Sequence, residues 1–152
     1  MKISTKITNR KNTHEVTLNT AGHEHSLTVS SKADGFGSSV NGGELLFLAL
    51  ATCYCNDLYR EAKKRDITIE EVEVEVSGEF GAEGEGAKNI SYSARVSSNV
   101  SEAEITELMR HTDTVAEIHN TLRPSTPVIL AECQAREIPA APVAAARAVS
   151  GL

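Results

Sequence analysis

Two thiols stand two residues apart in the stretch GGELLFLALATCYC, residues 42–55. The run reads as one turn after another of a helix too apolar to lie on a surface. A thiol in such a place has two uses. It packs as a small hydrophobe, or it is a shielded nucleophile whose thiolate is favoured by a cation or a helix end. Residues two apart on a helix point about 200° apart. Cys53 and Cys55 therefore cannot bridge while the helix holds, nor grip one metal ion together. Cys53 lies mid-helix, where the dipole contributes little. A reactive Cys53 thus needs a basic side chain from elsewhere in the fold, and on the residues alone both uses stay open.

The other chemistry-bearing residues are weaker candidates. His23 and His25 share one face of a strand pattern, but two ligands do not make a metal site. His111 and His119 would share a side of an unbroken helix, and Thr112-Asp113 is expected to break it. Glu71, Glu73 and Glu75 alternate with Val72, Val74 and Val76, the pattern of a strand with one wet face. Residues 78–88 form a Gly/Glu loop that would repel phosphate. Neither it nor Gly35-Phe36-Gly37 matches a dinucleotide or phosphate-binding fingerprint. The third cysteine, Cys133, adds no CxxC pattern, so neither a disulfide framework nor a zinc site is expected. No cofactor and no metal are predicted.

The elements that must position Cys53 can be read in order. Ile3 and Ile7 suggest a first strand, with residues 9–12 as its turn. Val16 and Leu18, then Leu27 and Val29, suggest two more strands around a turn at residues 20–23. A loop over residues 30–43 leads to the central helix. Asn41 can cap that helix, with Glu44 reaching back to the Asn41 amide. Residues 45–55 should be its buried half, and Lys63, Lys64 and Arg65 suit its last turn. Ile67-Thr68-Ile69 opens a strand whose phase slips at Glu70-Glu71, as at a bulge. Ile90, Tyr92, Ala94 and Val96 alternate in its partner. Ser101 and Glu104 form a capping box ahead of Ile105, Leu108 and Met109. A short helix beginning at Asp113 or Thr114 carries Val115, Ile118 and Leu122 and ends at Pro124. Residues 127–135 read as a last strand. The fold class is α+β, with antiparallel sheet and a long buried helix.

The length of 152 residues suits one domain. It is placed at residues 1–137, followed by an Ala/Pro-rich tail at 138–152. A net charge of −6 without a basic cluster argues against nucleic acid. No segment approaches the ~20 apolar residues that span a bilayer, and no signal segment precedes the first strand. A cytoplasmic protein with no membrane partner is expected.

Asn41-Gly42-Gly43-Glu44-Leu45-Leu46 running into Ala49-Leu50-Ala51-Thr52-Cys53-Tyr54 resembles the OsmC/Ohr family, the osmotically inducible and organic hydroperoxide resistance proteins. The Val72/Val74/Val76 strand and His119-Asn120-Thr121-Leu122 extend the similarity over roughly residues 1–135. The resemblance implies an intertwined homodimer with sheets wrapped around central helices and sites at the interface. It implies that Cys53 is the nucleophile toward a small organic hydroperoxide, or that the same interface takes another apolar ligand, with a thiol reductant closing the cycle. Arg10, in the early hairpin turn, is the matching candidate for thiolate stabiliser. The family's resolving cysteine falls on Ala116, and its Pro-Glu pair on Gly42-Gly43. Glu44, one register later, is a candidate for the missing carboxylate, although capping already accounts for it. The alternative is a non-catalytic dimer of the same fold in which Cys53 only packs.

Overall fold

The structure, a computed structural model, describes residues 1–126, 128 and 129. The strand expected at 127–135, Cys133 and the tail lie outside the described residues.

Three strands open the chain: β1 (Ile3–Arg10), β2 (Thr13–Thr20) and β3 (His23–Ser26). They form an antiparallel sheet in sequence order. Lys11-Asn12 turns β1 into β2, with Asn12 at φ +61°, a conformation asparagine accepts more readily than most residues. Arg10, as expected, ends β1 at this turn, opposite Thr13. The third strand is shorter than expected. Leu27 keeps one amide bond to the Val16 carbonyl and the chain then leaves the sheet, so Leu27 and Val29 belong to the following loop. That loop is tied back to the hairpin by Asn9, whose side chain accepts from the Gly37 amide and donates to the Gly37 carbonyl.

Helix α1 (Gly42–Lys64) follows. Its start is the expected capping box. The Asn41 side chain accepts from the Glu44 amide at 2.9 Å, and Glu44 Oε2 accepts from the Asn41 amide at 2.7 Å. A two-stranded antiparallel sheet comes next, β4 (Ile69–Phe80) and β5 (Ala87–Ser98). Its register shifts between Ile69 and Glu71, at the slip the sequence showed, and again between Ser77 and Glu79. The second shift lets β4 run on past Gly78 to pair Phe80 with Ala87. The connection is therefore residues 81–86, shorter than the loop expected at 78–88.

Helices α2 (Glu102–Val115) and α3 (Glu117–Leu122) complete the described fold. Ser101 and Glu104 form the expected capping box. The helix break falls at Ala116 (φ −71°, ψ 106°) and not at Thr112-Asp113. Thr112 is accommodated within the helix, its buried hydroxyl donating to the Leu108 carbonyl four residues back. The carbonyls freed near the end of α2 find side-chain partners, Asn120 on Thr114 and Arg123 on Asp113.

The core lies between α1, the β4–β5 sheet and the two later helices. Among the described residues, its fully buried apolar side chains are Leu50, Tyr54, Leu58, Ala62, Leu108 and Ala116, flanked by half-buried Val72, Val74, Tyr92, Ala94 and Val96. The first half of α1 departs from expectation. Leu48 is 58% exposed, and Ala49 and Thr52 are exposed too. Among the described residues α1 packs chiefly on β4, α2 and α3, and none of these covers that apolar side. Ile3, Ile7 and Phe36 are also exposed. No helix among the described residues is long and apolar enough to cross a membrane.

Candidate active site

The buried face of α1 is not purely apolar. Leu50, Tyr54, Leu58 and Ala62 follow helical spacing, and Asp57 and Glu61 sit on the same stripe, 4% and 3% exposed. A carboxylate is withdrawn from water at a cost unless it is paired and hydrogen-bonded. Both are. Asp57 Oδ1 accepts from Arg60 Nη1 at 2.5 Å, while Glu61 Oε1 accepts from Arg60 Nε at 3.1 Å and from Lys64 Nζ at 2.7 Å. The other oxygen of Glu61 lies 3.3 Å from His111 Nε2 on α2. Arg60 also reaches Glu117 on α3 at 3.3 Å.

Cys53 meets this network one turn before Asp57. Its Sγ lies 3.5 Å from Asp57 Oδ2, as donor, and 4.0 Å from Glu117 Oε2. The sulfur is half-buried, and its side-chain hydrogen-bond partners are both carboxylates. Burial pushes the thiol pKa up. A hydrogen bond from the Ile118 backbone pulls it back, while the charges of Asp57 and Glu117 push it further up. Asp57 itself is raised, first by burial and then by Glu117, against the pull of Arg60. Glu117 is held low by its own backbone amide and by its partners Asp57 and Arg60. Of the two carboxyls, Asp57 is the buried one and Glu117 the exposed one, so burial opposes the charge of Asp57 more strongly.

The structure sorts the sequence candidates. Cys53 is at the centre of the cluster. Glu44 forms the helix cap, nine residues from Cys53 and about 13 Å along the axis at 1.5 Å per residue, on the opposite side of the helix. Arg10 ends a hairpin whose sheet is not among the main packing partners of α1. Ala116 is fully buried at the α2–α3 break, next to Glu117. Cys55 is half-buried and has no hydrogen-bond partner among the described residues. His23 and His25 are exposed on β3, and His111 and His119 are separated by the break. Gly43 packs under Phe80. A Cβ at position 43 would stand 2.7 Å from the Phe80 ring, so a side chain there would have to displace that ring.

Sequence reading missed Asp57, Arg60, Glu61 and Glu117. The signal was present for two of them: positions 50, 54, 57, 58, 61 and 62 make one helical stripe, and two acids on it call for buried cations. Cys53, Asp57 and Glu117 offer three ligand atoms within 4.8 Å of one another. Arg60 already bridges the two carboxylates, so the cluster carries its own counter-cation.

Beside the cluster, on the sheet side of α1, Tyr54, Tyr92 and His119 stack edge to face, with the Tyr92 and His119 rings 4.8 Å apart. His119 is 5% exposed, and neither ring nitrogen has a hydrogen-bond partner among the described residues. Burial, then the charge of Arg123, holds it below the usual imidazole range. It lines a cavity of about 220 Å³ together with Leu50, Val76, Ile90, Tyr92 and Leu122.

Comparison with known proteins places this architecture. No curated protein sequence matches the chain. The fold resembles that of an OsmC-like protein from Mycoplasma pneumoniae, with a TM-score of 0.55 and 24% identity over 82% of this chain and 87% of that one. It also resembles an organic hydroperoxide resistance protein from Elizabethkingia anophelis (TM-score 0.55, 19% identity, 83% and 91% covered). A third likeness is to the organic hydroperoxide resistance protein OsmC of Legionella pneumophila (TM-score 0.53, 20% identity, 83% and 92% covered). The family described as OsmC-like protein matches residues 35–131, from the loop before α1 to beyond α3. By that match, which takes in the helix carrying Cys53, the chain belongs to the OsmC-like protein family.

Proposed function

We propose that the protein is a thiol-dependent hydroperoxide reductase that uses Cys53 and works without a resolving cysteine. The observation that carries this reading is the setting of the sulfur. It is half-buried and faces a hydrogen-bonded Asp57–Arg60–Glu117 cluster, where a merely packed thiol would have aliphatic neighbours. Two of the similar structures are named organic hydroperoxide resistance proteins, which supports an organic hydroperoxide as substrate. Cys53 attacks the terminal peroxide oxygen, yielding a sulfenic acid and an alcohol. With alanine at 116, an external thiol condenses with the sulfenic acid, releasing water, and a second thiol frees Cys53 as the external disulfide leaves.

The working form in this reading is a homodimer. The exposed apolar side of α1 at Leu48 and the exposed Ile3 and Ile7 of β1 are surfaces a second copy would cover. Arg10 would reach a thiol only across that interface, as the thiolate stabiliser.

A second reading is a non-catalytic, ligand-binding dimer. Burial and two carboxylates raise the thiol pKa, and the cavity beside His119 offers an apolar berth. One assay separates the two. Reduced protein is mixed with cumene hydroperoxide and excess dithiothreitol and compared with Cys53→Ser. Turnover lost in the variant supports the reductase. Equal, slow consumption by both leaves only the binding module.

A further inference from the structure

We propose that Asp57 is the proton carrier of the Cys53 reaction, taking the thiol proton and returning it to the departing alcohol. The proposal deepens, and rests on, the hydroperoxide-reductase reading. Cys53 and Asp57 are four residues apart on α1, so the helix itself puts them on one face. One carboxylate oxygen, Oδ1, is engaged by Arg60 at 2.5 Å. That bond fixes the rotation of the carboxylate and leaves Oδ2 facing the sulfur at 3.5 Å. Asp57 is 4% exposed, so a proton placed on it is shielded from exchange with bulk water.

The charges around the sulfur favour this role over that of a bystander. Asp57 and Arg60 face it from α1, and Glu117 faces it from α3. His111 of α2 is engaged by Glu61, and Glu71, Glu73 and Glu75 of β4 lie on the exposed face of their strand. A fixed negative charge next to a thiol opposes its ionisation. A carboxylate that accepts the thiol proton does not, because thiol plus carboxylate and thiolate plus carboxylic acid carry the same total charge. The raised proton affinity of Asp57 supports the same assignment.

The step balances as follows. The S–H proton passes to Asp57 Oδ2. The thiolate attacks the terminal oxygen of ROOH, forming an S–O bond as the O–O bond breaks. Sulfur supplies the electron pair and is oxidised to the sulfenic acid, while the peroxide is reduced. The alkoxide RO⁻ takes the proton from Asp57 and leaves as ROH, restoring the carboxylate.

The test compares two reactions of the same sulfur. Hydroperoxide reduction needs a proton for its leaving group, whereas alkylation by iodoacetamide releases iodide and needs none. In single-turnover assays at pH 7, Asp57→Asn should slow the reaction with cumene hydroperoxide about 100-fold, within the range of general acid–base assistance. Alkylation of Cys53, followed on its peptide by mass spectrometry, shares the loss of the thiol proton but not the protonation of a leaving group, so it should slow far less, and Asp57→Glu should recover part of the hydroperoxide rate. Both rates rising together would make Asp57 only a repelling charge. Both falling by the same factor would leave Asp57 no part in protonating the departing alcohol. Either result overturns the proposal. Should Asp57→Asn fail to fold, the unmutated protein gives the answer in heavy water. The hydroperoxide step should slow beyond any change in alkylation, and equal changes overturn the proposal. An unmutated protein inert toward hydroperoxide removes the reductase reading as well.

Discussion

Tyr92 on β5 donates a 2.5 Å hydrogen bond to Asp113 near the end of α2. Asp113 also accepts from Arg123 at 2.5 Å, so one carboxylate ties the sheet to the segment that carries α3. The bond to Tyr92 is also the main reason Asp113 is held below the ordinary aspartate range. Tyr92→Phe removes that donor and keeps the ring. It should cost about 1–2 kcal/mol, the usual worth of a hydrogen bond to a charged acceptor at a half-exposed site. Urea unfolding checks this, and an unchanged midpoint would show the bond to be dispensable.

His119 is a candidate for stabilisation. Two buried ring nitrogens with no partner among the described residues carry a desolvation penalty of about 1–3 kcal/mol. Phenylalanine keeps the edge-to-face contacts with Tyr54 and Tyr92 without that penalty. His119→Phe should be neutral or stabilising at pH 7. The pH dependence has a definite sign. The folded pKa of His119 is depressed, so the unfolded chain binds the proton first, and stability falls as pH drops below about 6.5. That fall should be reduced in the variant, as thermal unfolding at pH 7 and pH 5 will report.

Glu61 sets a lower pH window. Hydrogen bonds from Lys64 and then Arg60 bring its pKa down to about 2. A depressed carboxylate contributes stability that is complete above its unfolded value and is lost as pH falls toward the folded one. Unfolding midpoints should therefore decline between about pH 4.5 and 2, and Glu61→Gln should flatten that decline. Parallel curves for the two proteins would assign acid sensitivity to other groups.

The two readings of Glu44 predict different variants. As a capping residue it can be replaced by glutamine, which still accepts from the Asn41 amide. Glu44→Gln should leave stability nearly unchanged, while Asn41→Ala should cost about 1 kcal/mol. Turnover in Glu44→Gln should match the unmutated protein. A large loss of hydroperoxide turnover with intact stability would bring Glu44 back as a site residue.

What could be read from the chain was mostly local. The Asn41 and Ser101 caps and the slip at Glu70-Glu71 follow from hydrogen bonds and pleat period within a few residues. The helix break was misplaced because Thr112 looked like a helix breaker, yet its hydroxyl bonds back to Leu108 and the break falls at Ala116. The site was half legible. Cys53 stood out by residue type. The partners around it come from α1 one turn on and from α3, 64 residues further along the chain, and charge pairing between segments so far apart leaves no periodic trace. The exposure of Leu48 was hidden for another reason: periodicity tells which side of a helix is apolar, not which molecule covers it.

Gly43 and Phe80 on one side, and Gly78 and Phe47 on the other, pack α1 against β4 in reciprocal fashion. A Cβ at position 78 would stand 2.8 Å from the Phe47 ring, as one at position 43 would from Phe80. The Phe47 and Phe80 rings lie 5.8 Å apart between them. Substitutions at these four positions are thereby coupled. A side chain added at position 43 would have to displace the Phe80 ring, and with it the ring's contact with Phe47, so a change at one crossing is felt at the other.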